Sequence, residues 1–92
     1  MKKAGKSKFN LSVIELVKMM REKKKLSQED LASFLDVDKS YVGHIESPQT
    51  KAKYNFDQIN RLAFEMKCSI HDLIPSKPTD EKVYSSRRKK RK

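Results

Sequence analysis

Ninety-two residues, 36% of them hydrophobic, allow one small domain with a modest core. That is too little for a dinucleotide fold with a substrate domain or for a barrel of strands and helices. The single Cys68 excludes an internal disulfide framework. No apolar run is long enough for a transmembrane helix or a signal-peptide core, so a soluble cytoplasmic protein with no membrane partner is expected.

The net charge of +10 is unevenly placed. Residues 1–8 contribute +4 and residues 75–92 contribute +6, whereas residues 9–74 hold ten Lys/Arg and ten Asp/Glu. Both ends have almost no apolar residues, so burial cannot offset their ordering entropy and mobile tails are expected. This predicts a basic tail over residues 1–8, a domain over 9–75 and a second basic tail over 76–92. A terminus such as Arg87-Arg88-Lys89-Lys90-Arg91-Lys92 attracts any polyanion. It serves either as a solubilising end or as a contributor to nucleic-acid affinity.

Between the tails the pattern is helical. Leu11, Ile14, Val17 and the Met19–Met20 pair recur at spacings of three and four, which predicts an amphipathic helix capped by Asn10 or Ser12. It ends in Arg21 to Lys25, where the helix dipole favours positive charge. Ser27-Gln28-Glu29-Asp30 reads as a capping box before Leu31, Ala32 and Leu35. Asp36 is placed in the turn, since Asp tolerates left-handed backbone. Asp38 caps a third helix with Val42 and Ile45 inward, and Pro48 ends it by pushing Ser47 out of helical space. After a loop, Asn55 caps a stripe of Phe56, Ile59, Leu62, Ala63 and Met66. Ser69 and Asp72 frame a last short helix containing Ile70, Leu73 and Ile74, closed by Pro75 and Pro78. No strand pattern appears, so an all-α bundle of five helices is predicted.

Ser27 to Glu46 is the informative stretch. It reads as helix, short turn and helix, with Ala32 small enough for a close crossing and Val37 filling the angle. This is helix-turn-helix geometry, in which the second helix lays its outer face in a DNA major groove. The residues Arg21, Leu26 to Ala32, Leu35, Val37, Val42, Ile45-Glu46 and Cys68 to Leu73 span roughly residues 11–74. In their order and spacing the sequence resembles the phage-repressor and Cro class of helix-turn-helix domains, the XRE-type family. Lys25 and Asp36 stand where that family usually has glycine, at a cost of about 1 kcal/mol each.

The resemblance implies a compact lambda-repressor-like bundle and a transcriptional regulator that binds specific double-stranded DNA without a cofactor. It assigns Gln28 to a backbone phosphate and to bracing the recognition helix. It places Lys39, Ser40, Tyr41 and His44 at that helix's outward positions. Lys39 and His44 can donate to guanine or to phosphate, and Ser40 can donate or accept. Tyr41 either meets a thymine methyl or phosphate or covers the edge of the domain. Lys51 and Lys53 fall in the loop that faces the sugar-phosphate backbone in the resembling proteins. Arg21 and Glu46 are implied to form a partly buried ion pair. Phe34, where the family has a polar residue, extends the core or marks a partner surface.

Cys68 and His71 have the spacing of half a zinc site, but no second pair lies at the usual distance, so Cys68 is read as core and no metal is expected. No strained nucleophile turn accompanies the Ser, His and Asp residues, and no enzyme is expected. One recognition helix reads only a few base pairs. A homodimer on half-sites about 34 Å apart is therefore expected, paired through Ile70, Leu73 and Ile74. Two alternatives are an antitoxin-like module that binds a protein partner and autoregulates through DNA, and a non-specific binder driven by the tails.

Overall fold

Side-chain caps open every helix of the computed structural model, which describes residues 6–81. Ser7 Oγ accepts the Asn10 amide at 3.0 Å and starts α1, Lys8–Lys23. Ser27 and Asp30 exchange hydrogen bonds across the first turn of α2, Gln28–Leu35. Asp38 accepts the Ser40 amide at the start of α3, Lys39–Glu46. Asn55 and Gln58 form a second reciprocal box at α4, Phe56–Met66. Ser69 and Asp72 do the same before a 3-10 turn, Ile70–Leu73. Each cap satisfies amides that a helix start leaves without intrahelical partners.

Three closures use left-handed backbone: Lys25 (φ 61°), Asp36 (φ 58°) and Lys67 (φ 58°). After each, the next amide reaches back to a helical carbonyl. Leu26 N bonds Arg21 O at 2.9 Å, Val37 N bonds Ala32 O at 3.0 Å, and Cys68 N bonds Ala63 O at 3.1 Å. Glycine usually supplies this closure; here lysine and aspartate adopt it, at the two expected positions and at Lys67.

The core gathers Val13, Ile14 and Val17 from α1, Leu31 and Ala32 from α2, Val42 and Ile45 from α3, and Ile59, Leu62, Ala63 and Met66 from α4. Tyr54 from the loop and Leu73 from the 3-10 turn complete it. Among the described residues no polar or charged residue is buried. Val37, in the turn between α2 and α3, packs partly buried against this core.

The all-α class holds over the described residues, with four α-helices instead of five. The fifth segment is a 3-10 turn because Pro75 forces Ile74 into extended backbone (φ −128°, ψ 135°), leaving four residues after the Ser69 cap. Helix α1 starts earlier than Asn10 or Ser12 would allow, because Ser7 caps it. Ser7 and Lys8, assigned by composition to the N-terminal tail, thus belong to the fold. Glu81, assigned to the C-terminal tail, accepts the Lys8 and Phe9 amides at 3.1 Å each and is braced by the Thr79 hydroxyl. The rest of both expected tails, residues 1–5 and 82–92, lies outside the described residues.

Some expected core residues are on the surface. Phe56 is 85% exposed although Ile59 and Ala63 lie three and seven residues on, because it occupies the first position of α4, where side chains lean toward the helix start. Met19 is exposed while Met20 packs against the core. Met20 follows buried Val17 by three residues and buried Val13 by seven, which keeps it on the inner side of α1, whereas Met19 falls on the far side. Leu11 and Ile70 are also exposed.

Candidate nucleic-acid interface

Val42 and Ile45 are fully buried and anchor one side of α3. The helical period therefore turns Lys39, Ser40 and His44 outward, and all three are exposed. Tyr41 is half-buried with its ring against the core, which is the edge-covering one of its two expected placements. The Ser40 hydroxyl donates to Asp38 Oδ2 at 2.5 Å, so in this conformation it offers only acceptor capacity outward. That hydroxyl, then the Ser40 amide and the Lys39 charge, hold the Asp38 carboxyl below its ordinary range.

Glu46, the last residue of α3, joins three elements. Arg21 at the end of α1 grips it in a fork, Nε to Oε2 at 3.0 Å and Nη2 to Oε1 at 3.1 Å. The expected ion pair is thus present and nearly enclosed, with side chains 12% and 6% exposed. Arg21 Nη1 also donates to the Leu26 carbonyl at 3.0 Å, in the link to α2. Gln28, the first residue of α2, donates from Nε2 to Glu46 Oε1 at 2.9 Å. Gln28 thereby ties the start of α2 to the end of α3.

Between the start of α2 and the face of α3 runs a groove of about 560 Å³, lined in part by Ser27, Gln28, Lys39, Ser40 and Gly43. The N-terminal end of α2 opens on it, where the helix dipole favours negative charge. A methyl group added at Gly43 would stand 3.5 Å from Gln28 Oε1, an ordinary contact, so the fold itself tolerates a side chain there. Lys51 and Lys53 are exposed on the loop after α3. Thr50 fastens that loop by donating its hydroxyl to the carbonyl of His44.

One positioning residue has no signal in the sequence. Lys6 Nζ donates to the carbonyls of Ile45, at 2.6 Å, and Ser47, at the C-terminal end of α3. A cation there satisfies terminal carbonyls and complements the helix dipole. Thirty-nine residues separate Lys6 from Ile45, so no local pattern announces the bond.

Cys68 is half-buried against the core, and burial is the first cause of its raised thiol pKa. Among the described residues no group of three or more His, Cys, Asp or Glu is arranged to hold a metal ion. No helix among them is long and apolar enough to cross a membrane.

A helix-turn-helix family model matches residues 17–53, from the middle of α1 through α3 into the following loop. The fold is similar to that of the restriction-modification controller protein C.AhdI from Aeromonas hydrophila, with 28% identity, a TM-score of 0.59, and coverage of 70% of this chain and 94% of that one. It is also similar to part of FeII HppE, solved in complex with substrate, with 28% identity and a TM-score of 0.64 over 77% of this chain and 39% of that one. No curated protein matches the sequence.

Proposed function

We propose that this protein, whose residues 17–53 match a helix-turn-helix model, is a transcriptional regulator that binds specific double-stranded DNA with α3 in the major groove. The carrying observation is the Glu46 junction. It fixes both ends of the motif through Arg21 and Gln28 and leaves Lys39, Ser40 and His44 on one outward face. A short helix can read base edges only if its direction is set beforehand, and three hydrogen bonds to one nearly enclosed carboxylate set it.

In this reading Lys39 and His44 donate to base acceptors and Ser40 accepts from a base or swings off Asp38 to donate. Gln28 and the start of α2 take one phosphate, and Lys51 and Lys53 take others farther along the strand. The similarity to a restriction-modification controller over nearly that protein's whole length favours control of transcription by operator occupancy. The likeness to FeII HppE covers 39% of that chain, so its iron and substrate remain that protein's own, and a binding role without catalysis is proposed here. The working form is a homodimer on a near-palindromic site in the cytoplasm.

Selection of bound duplexes from random DNA tests the reading, and one enriched half-site motif is the expected result. Lys39→Ala should relax preference at a single base position by about 1–3 kcal/mol, whereas Lys51→Ala with Lys53→Ala should weaken all sequences alike and reduce the salt slope by about two. A selection that enriches no motif overturns it.

A further inference from the structure

Helix α4 leaves an apolar ridge without a partner on its outer side. Phe56 is 85% exposed and Phe64 72% exposed, while Ile59, Leu62, Ala63 and Met66 are buried along the adjoining side. Phe56, Asn60 and Phe64 stand four residues apart in sequence and form one ridge of the kind that interdigitates when two helices cross. Arg61 lies over the Phe64 ring, 5.5 Å from its centroid, and is itself held by Glu65, so the ring is supported on one side before any partner arrives. Beside the ridge, half-buried Phe34 and Arg61 help line an open groove of about 410 Å³ between α2 and α4. None of the residues lining this groove lines the one between α2 and α3.

We infer that the Phe56–Asn60–Phe64 ridge of α4 is a homodimer surface, occupied by the same ridge of a second copy about a two-fold axis through Asn60. The occupant follows from the spacing. A two-fold axis at the middle residue brings Phe56 of one copy to Phe64 of the other, twice, and sets the two Asn60 amides face to face. An amide is both donor and acceptor, so it is complementary to itself. The ridge and its flanks carry Asp57, Arg61 and Glu65, so the basic excess of the chain, which sits at its ends, does not oppose the pairing. An aromatic side chain buries about 150–250 Å², so the four rings remove about 600 Å² from water. That is about half of a small specific interface, and the flanking polar residues and the Phe34 groove supply the remainder.

The inference deepens the DNA-binding reading by naming the surface of its dimer, but it is testable without DNA. It moves that surface off the 3-10 turn, where Leu73 is fully buried and serves the core. Sedimentation of the full chain from micromolar to near-millimolar concentration should show a reversible dimer. Phe56→Asp with Phe64→Asp should weaken it about thirtyfold or more, as loss of an interface hot spot does. At a concentration where the parent is monomeric, the circular dichroism and melting temperature of this variant should match the parent's, because both rings are largely exposed in the monomer. Ile70→Asp should sediment like the parent. Asn60→Cys should give a disulfide-linked dimer on mild oxidation, which the parent, with Cys68 alone, does not form. A parent that stays monomeric throughout, a folded Phe56→Asp/Phe64→Asp variant that dimerises like it, or dissociation by Ile70→Asp would overturn the inference. Motif selection without a dimer would separate its failure from that of the DNA-binding reading.

Discussion

The Tyr54 hydroxyl is buried and has no hydrogen-bond partner among the described residues. Burial, and then the charge of Glu46, raise its pKa far above the usual tyrosine value. An unsatisfied buried hydroxyl costs about 1–3 kcal/mol. Tyr54→Phe keeps the ring in the core, so it should stabilise the fold by about 1 kcal/mol, read as a higher denaturant midpoint at unchanged slope. Lys67 tells a similar story in the backbone. Its left-handed conformation (φ 58°) closes α4 with a residue that pays for a Cβ there. Lys67→Gly should gain about 0.5–1 kcal/mol by thermal or chemical unfolding. No gain would mean that the lysine side chain supplies a compensating contact.

At the scale of the element, α3 has eight residues and cannot hold itself together, since isolated helices of this length are unstable in water. Its direction is imposed from outside. Asp38 caps its start, Glu46 is held from α1 and α2, and Lys6 secures its terminal carbonyls. Lys6→Met should cost only about 0.3–1 kcal/mol in global stability, the usual worth of a partly exposed cation at a helix C-terminus. Hydrogen exchange of the Ser47 amide, which bonds back to Gly43 and His44, should nevertheless quicken, and discrimination between preferred and random DNA should fall. Lys6→Arg should restore both. Unchanged exchange in Lys6→Met would remove Lys6 from the positioning machinery.

On the scale of the whole molecule, charge and fold are separate. Of the 22 Lys/Arg, nine lie in residues 1–5 and 82–92, and all 12 Asp/Glu lie in residues 6–81, which therefore carry a net charge of +1. A fragment of residues 6–81 keeps Lys6, Ser7 and Glu81, all of which bond to the domain. It should retain the sequence preference of the full chain and show a shallower dependence of affinity on salt. Loss of preference in this fragment would shift recognition to the terminal segments. Trimming to residues 9–75, where composition draws the boundary, would also remove the α1 cap and the Lys6 bond, and so would confuse charge with folding.

Much of this architecture is legible in local patterns. The Ser27, Asp38, Asn55 and Ser69 caps, the left-handed turns at Lys25 and Asp36, and the buried positions of α2 and α3 all depend on residues within a turn or two of one another. Helix periodicity and hydrogen-bond reach act over that range. The sequence by itself therefore determined the helical class, the helix-turn-helix and its outward residues. Only the tertiary structure decided which half of an apolar pair is wet, as at Met19 and Met20, which phenylalanines remain uncovered, and that Lys6 and Glu81 secure helix ends 39 or more residues away. Those outcomes depend on how packed helices fill volume around one another and on where distant backbone groups need partners, and neither is written in the spacing of neighbouring residues.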